Sequence, residues 1–360
     1  MFYFAIFYKH RTDRYSFFGL EQRIRSSILR TEASLAFWLF MLGAHMAILL
    51  RESDVAKLAT MTMAIEGVEQ AFRFQGEQKA DNAPRRRSGL DHGMLHVMSA
   101  SLPSLGYAGL KSYTSVAGVT RFLVMLYKDG NLEAVIEADR LGQLRTGAAT
   151  AVATRHMARE ESSRLGIFGT GLQARSQVTA VCAVRPIKTV RAYSRNPENC
   201  AAFCREMSDL TGASVTPASN PEEAVRGMDI VVTATTSKDP VFRGEWLEKG
   251  THVNAVGGNF IQRRELDVES VRRSACVVVD SLEQARLESG DLAQAAEVEA
   301  FYWEDARELG LVVIGEFPGR EDADEITLFE SQGIALEDVA LAAKVFEAAA
   351  KSGVGERLPF

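Results

Sequence analysis

The sequence predicts an α/β fold in which a doubly wound parallel sheet of Rossmann type is joined to a second, α+β domain. Three observations carry this. From Arg164 onward, short apolar stretches alternate regularly with helical ones, the pattern of a parallel sheet covered on both faces. The first of those stretches runs directly into a glycine loop, Gly169-Thr170-Gly171. Ahead of Thr146, by contrast, extended stretches follow one another with only turns between them, which reads as an antiparallel sheet. With 360 residues, 46% hydrophobic and 24% charged, the chain is long enough for two packed domains and too apolar for general disorder. Its net charge of −6 lacks the basic surplus that neutralises phosphates, so nucleic acid is not an expected partner. Cys182, Cys200, Cys204 and Cys276 are too few and too irregular for a disulfide framework or a paired CxxC zinc site, which suits a reducing cytoplasm. Cys200 and Cys204, four apart on a helix, read as two buried or partly exposed thiols.

At the amino end, residues 1–32 are aromatic and arginine-rich without a period, and Ala33 to Leu50 is an apolar run of about membrane-span length. Preceded by Arg23, Arg25 and Arg30, the run has the form of a signal anchor. The competing reading, which we adopt, makes Met46 the natural start and residues 1–45 a non-native or disordered extension, with no membrane involvement. From Met46 the chain reads as a short strand, Ala47 to Leu50. Ser53 and Asp54 then cap an amphipathic helix carrying Val55, Leu58, Met61, Ile65, Val68 and Phe72. Ala83-Pro84-Arg85-Arg86-Arg87 follows as a connection, then strands over Met94–Ala100, Tyr107–Val116 and Thr120–Lys128. The last ends at the turn Asp129-Gly130-Asn131, after which Leu132–Glu137 is again extended. An alanine-rich helix from Thr146 to about Ala158 leads into the parallel-sheet strands Arg164–Phe168, Thr189–Tyr193, Ile230–Ala234, His252–Val256 and Cys276–Val279. Asp338 to Ala350 repeats its apolar residues at three and four and is a helix that packs.

The stretch Gly169-Thr170-Gly171-Leu172-Gln173-Ala174, strand before and helix after, fits a dinucleotide fingerprint. Gly169 permits the tight turn, Gly171 lets backbone approach a pyrophosphate, and Ala174 allows close helix and strand packing. The second strand ends Ala192-Tyr193-Ser194-Arg195-Asn196, without the carboxylate that would bond the ribose hydroxyls of NAD. Arg195 can pair with a 2′-phosphate and Ser194 can donate to it, so NADP(H) is favoured and NAD(H) remains possible. The alternative for Arg195 is a solvated loop residue.

At this point the residues resemble a family. Ile136-Glu137-Ala138-Asp139-Arg140-Leu141-Gly142-Gln143-Leu144-Arg145-Thr146-Gly147, followed by the glycine loop, is similar to the ornithine cyclodeaminase/mu-crystallin family. So are Pro84-Arg85, Gly109-Leu110-Lys111, Val256-Gly257-Gly258-Asn259 with Arg264-Glu265-Leu266, and Ile326-Thr327-Leu328-Phe329-Glu330-Ser331. The resemblance implies a homodimer, with residues 46–144 and 318–360 forming a substrate-binding and dimerisation domain and 145–317 a nicotinamide-binding Rossmann domain. The family includes ornithine cyclodeaminases, alanine dehydrogenases of the archaeal type, ketimine and pyrroline-2-carboxylate reductases and a vertebrate binding protein. Hydride transfer at the α-carbon of an amino or imino acid is their shared chemistry.

Such chemistry needs a carboxylate held, an α-carbon placed and a proton moved at the α-nitrogen. The resemblance assigns the carboxylate to Arg85 and Arg145, whose planar forks match it, with Arg86 and Arg87 leaving the first choice open by one or two positions. It assigns the nitrogen to Lys111, whose pKa two arginines would push down. Without the resemblance, the arginine run reads as a solvated basic face and Lys111 as an exposed strand lysine. Asn259 stands where the cyclodeaminases carry aspartate. It can hydrogen-bond there but cannot act as a base, which counts against ornithine cyclisation and leaves simple reduction or oxidation intact. For the cofactor, Thr146, Gln173, Thr235, Thr236 and Gly257 are added, and Ser331 by resemblance alone. His92 and His96, four apart, read as structural or substrate-lining rather than as zinc ligands, and no metal is expected. The sequence thus points to an NAD(P)H-dependent imine reductase or amino acid dehydrogenase acting on a small amino or imino acid. The alternatives are an ornithine cyclodeaminase that recycles bound NAD, and a non-catalytic NADP(H)-binding protein.

Overall fold

The computed structural model describes residues 46–116 and 119–359; the extension expected over 1–45, with most of the apolar run, lies outside them. Among the described residues, fifteen strands form two sheets. The first sheet is built from β1 (Ile48–Leu50), β2 (Asp81–Leu90), β3 (Gly93–Leu102), β4 (Tyr107–Val116), β5 (Val119–Lys128), β6 (Asn131–Glu137) and β15 (Glu356–Arg357), in the order β15-β1-β6-β5-β4-β3-β2. From β2 to β6 every pairing is antiparallel; β1 joins β6 in parallel. The second sheet is parallel throughout and comprises β7 (Arg164–Phe168), β8 (Thr189–Tyr193), β9 (Ser214–Pro217), β10 (Ile230–Thr233), β11 (His252–Ala255), β12 (Ser274–Val279), β13 (Arg307–Glu308) and β14 (Ile326–Glu330). Its order, β9-β8-β7-β10-β11-β14-β12-β13, runs outward both ways from β7, so it is the doubly wound arrangement with its switch point between β7 and β10.

Four local expectations need correction. The first helix is two, Glu52–Leu58 and Met61–Gly76: Thr60 caps the second by accepting from the Met63 amide, while Asp54 accepts from the Arg51 amide instead of starting a helix. The Pro84–Arg87 connection is part of β2, an edge strand whose register shifts between Ala83 and Arg86, which is where a proline can sit in a sheet. The alanine-rich helix begins at Asp139, not Thr146, and runs to Met157. The segment assigned to the first domain from residue 318 divides, because β14 lies in the middle of the parallel sheet, whereas the helix Ala335–Ser352 packs in the core against the other sheet and β15 pairs with β1 in it.

Small residues let these pieces meet. A Cβ on Gly147 would stand 2.8 Å from the Ser176 carbonyl, so the helix Asp139–Met157 crosses the helix Leu172–Val184 at backbone distance. Ala148, Ala149, Ala151 and Ala153 of the same helix are buried on several of its faces, and one core includes them together with Phe329 and Val278 of the parallel sheet and Met98 and Leu126 of the antiparallel one. Gly109 serves the carboxyl-terminal helix likewise: its Cβ would lie 2.9 Å from Val339, so Ala335–Ser352 presses directly onto β4. Among the described residues no helix is long and apolar enough to cross a membrane.

Candidate active site

A cleft of about 600 Å³ opens along the carboxyl ends of the parallel strands, roofed by the inner face of β3, β4 and β5. Arg85, Lys111, Arg145, Thr146, Gly171, Gln173, Thr235, Thr236, Gly257, Asn259 and Ser331 all line it. The structure therefore brings together residues from both sheets and from the helix between them.

Alternation along β4 turns Tyr107, Gly109 and Lys111 inward, and the close approach of the carboxyl-terminal helix at Gly109 brings Asp338 beneath Lys111. Lys111 Nζ donates to Asp338 Oδ1 at 2.8 Å and lies 4.7 Å from the centre of the Phe122 ring. Burial pushes the ammonium down to about 8, Asp338 opposing and Arg145 and Arg85 adding to the fall. Arg145 gives Nη1 to Glu337 at 2.8 Å and Nε to the same Asp338 oxygen at 3.2 Å. Burial alone would lower Arg145, but Asp338 and Glu337 outweigh it and hold it above its ordinary value. Glu337 itself is pushed up to about 8 by burial, with Arg145 pulling the other way.

Of the three consecutive arginines, Arg85 is the buried one that lines the cleft, Arg86 is exposed, and Arg87 is half-buried. Arg85 Nη2 donates to the Gln332 and Gly333 carbonyls, both at 3.0 Å, Nε lies 3.3 Å from Met98 Sδ, and Nη1 pairs with Glu288. Arg87 shares that Glu288 at 2.7 Å and donates to the Asn259 carbonyl, also at 2.7 Å, so it holds the Asn259 loop instead of facing the cleft. His96 lines the cleft stacked on Tyr113, ring centroids 4.2 Å apart, with Nε2 3.1 Å from Ser115 Oγ; burial, with Arg87 and Arg85, lowers it to about 4. His92 lies in the exposed β2–β3 turn, and among the described residues no group of three or more metal-ligating side chains converges.

The other end of the cleft is shaped for a dinucleotide. Gly169 has φ +97°, and a Cβ there would meet the Ala234 carbonyl at 2.5 Å, so the turn after β7 requires glycine. At Gly171, the residue that caps the helix Leu172–Val184, a Cβ would meet nothing within 4 Å, and no side chain caps the first amides. That leaves an open backbone cradle at a helix start with Leu172 exposed beside it, which fits a pyrophosphate. Ala174 is buried under the loop; neither it nor Gly169 lines the cleft, and both act through packing. Ser194 and Arg195 lie past the end of β8, off the cleft lining, with Arg195 exposed and without an ion pair among the described residues.

Sequence reasoning gave no role to the carboxylates below this surface. Glu265 accepts from the Thr235 amide at 2.6 Å, Thr233 Oγ1 at 2.8 Å and the Gly257 amide at 2.8 Å, so one buried side chain ties together the loops that follow β10 and β11. A Cβ on Gly257 would stand 2.3 Å from the Thr235 carbonyl, which makes that glycine part of the same clamp. Asp280, pushed up to about 6 by burial, accepts from Ser331 Oγ at 2.9 Å and from the Gly333 amide at 2.6 Å. Cys200 and Cys204 are buried free thiols under β8, both raised by burial.

Residues 45–353 match the model of the ornithine cyclodeaminase/mu-crystallin family. The alanine dehydrogenase of Archaeoglobus fulgidus is 38% identical over 324 residues, 87% of this chain and 98% of that protein. The structure of Thermococcus litoralis Δ1-pyrroline-2-carboxylate reductase, in complex with NADH and L-proline, superposes with a TM-score of 0.82 at 36% identity, covering 86% of this chain and all of that one. An archaeal alanine dehydrogenase dimer with bound NAD gives 0.83 at 36% identity, over 88% of this chain and 99% of that one.

Proposed function

The chain belongs to the ornithine cyclodeaminase/mu-crystallin family of NAD(P)-dependent oxidoreductases, and from that premise we propose that it reduces an imino acid or oxidises an amino acid at the α-carbon. The observation that carries this is the convergence of Lys111, Arg85 and Arg145 on one cleft whose other end is the Gly171 cradle. When bound, the nicotinamide supplies or takes the hydride. Arg145 uses Nε and Nη1 on carboxylates of the carboxyl-terminal helix, which leaves Nη2 for a substrate carboxylate, with Arg85 beside it. In the reductive direction the imine nitrogen takes up the electron pair of the C=N bond and a proton from the Lys111 ammonium; in oxidation the neutral amine of Lys111 receives a proton from the substrate nitrogen. An ammonium near pKa 8 suits both roles at neutral pH. Asn259 supports reduction over cyclisation, since the amide offers no base for a distal amino group.

For the cofactor, the exposed Arg195, which has no ion pair among the described residues, favours NADP(H) over NAD(H), the relatives above having been solved with NAD(H). For assembly, the outer face of the antiparallel sheet exposes Val97, Val119 and Leu123, which a second copy of the chain would cover to make a homodimer. The test mixes the protein with Δ1-pyrroline-2-carboxylate, its six-membered analogue, or pyruvate with ammonium, and with NADPH or NADH in parallel, following nicotinamide absorbance. Imino-acid-dependent oxidation supports the proposal and ranks the cofactors. Silence across the panel with ammonia released from ornithine would replace it by the cyclodeaminase, and silence with ornithine as well would leave a binding protein.

A further inference from the structure

We propose that Asp338, in the first turn of the carboxyl-terminal helix, is a positioning residue that keeps Lys111 protonated and aimed at the substrate nitrogen while fixing the plane of Arg145; this rests on the role given to Lys111 above. One carboxylate oxygen, Oδ1, receives both Lys111 Nζ at 2.8 Å and Arg145 Nε at 3.2 Å. Its side chain is fully buried, and Oδ2 has no hydrogen-bond partner among the described residues. Nζ also lies 4.7 Å from the centre of the Phe122 ring, and Gly142, which lines the cleft, leaves room beside it, since a Cβ there would come within 3.3 Å. The ammonium thus has one carboxylate anchor and faces the cleft.

The charges facing Lys111 are Asp338 from the carboxyl-terminal helix, Arg145 from the helix Asp139–Met157 and Arg85 from β2. Burial and both guanidinium groups drive the proton off, and Asp338 opposes them. Without that carboxylate the balance would shift further toward the neutral amine, which cannot donate, and the side chain would lose its anchor. Asp338 therefore sets the pH range of the reduction as well as the geometry, although it touches neither substrate nor cofactor.

The experiment compares wild type, Asp338→Asn and Asp338→Glu in the imine reduction assay across pH, with dinucleotide binding followed by nicotinamide fluorescence. In wild type the rate falls as pH rises through the lysine pKa. Asp338→Asn should bind the dinucleotide as wild type does, lose about tenfold or more in kcat, and begin its alkaline fall at least one pH unit lower. Asp338→Glu, which restores the charge, should return the fall toward its wild-type position. A slower Asp338→Asn whose pH profile overlays wild type would overturn the proposal, since a merely structural residue behaves that way, and so would an unchanged rate. If Asp338→Asn does not fold, Asp338→Glu decides, because a fall displaced to lower pH despite the restored charge sinks the idea. A wild type with no turnover refutes the oxidoreductase function instead. The Lys111 pKa is then read from its trapping by pyruvate and cyanoborohydride, followed by mass spectrometry: a lower pKa in Asp338→Asn than in wild type supports the role of Asp338, and an equal one overturns it.

Discussion

Replacing Lys111 by Met keeps a long unbranched side chain and removes the ammonium, leaving Asp338 buried with one fewer partner. Removing one member of a buried ion pair costs about 3–5 kcal/mol. Here Asp338 keeps Arg145 Nε at 3.2 Å, so the expected loss is smaller, about 1–3 kcal/mol. At roughly 2–4 °C per kcal/mol, thermal unfolding should come several degrees earlier. Adding Asp338→Asn to Lys111→Met removes a carboxylate whose ammonium partner is already gone, so its cost there is the loss of the Arg145 Nε contact at 3.2 Å alone. The double variant should therefore lose less than the sum of the two single losses. Thermal and urea unfolding of the four proteins of this cycle measure the coupling, and turnover is read in parallel, with an expected loss of about 10²–10⁴-fold for Lys111→Met at unchanged dinucleotide affinity. Single losses that simply add in the double variant would refute the pairing, and a Lys111→Met enzyme at wild-type speed would remove Lys111 from the chemistry.

Three further outcomes follow from other parts of the fold. Arg195→Asp should move the ratio of kcat/KM toward NADH over NADPH, and an unchanged ratio would mean that the side chain never meets a 2′-phosphate. Gly171→Val should fold normally, because its Cβ meets nothing, yet weaken dinucleotide binding about tenfold or more by filling the cradle; calorimetric affinity equal to wild type would show that the pyrophosphate lies elsewhere. His252, buried with Nδ1 2.9 Å from Thr327 Oγ1, is lowered by burial, with Arg320 adding, to about 3. Between pH 6.5 and about 3 the unfolded chain binds a proton there that the folded chain refuses, so stability falls as pH falls, by about 2 kcal/mol at pH 5. His252→Gln should flatten that slope in urea unfolding, and an unaltered slope would place the acid sensitivity in other groups.

The features that were legible in the sequence are those a short stretch of backbone dictates. Strands β7 and β8 stand at their expected bounds, and the Gly169 turn could be read because its left-handed φ and the close approach to Ala234 admit nothing larger. The joint role of Arg85, Lys111 and Arg145 was expected from motif resemblance, since the residues alone read Arg85 and Lys111 as exposed. In Pro84-Arg85-Arg86-Arg87 the local signals, a proline and three charges, argue against a strand, and only pairing with β3 makes it one. Glu337 and Asp338 show the same limit from the other side. Two acids in the first turn of a helix already have a local explanation in the helix dipole, so nothing in the sequence marks them as partners of buried cations. Lys111 and Asp338 are 227 positions apart, and they meet because Gly109 lets the last helix press onto β4. Sequence thus determined the dinucleotide turn and those elements, such as β7 and β8, whose signal lies in neighbouring backbone. The charge balance that sets the Lys111 proton was decided by tertiary packing, because burial and ion pairing exist only between surfaces that the fold brings together.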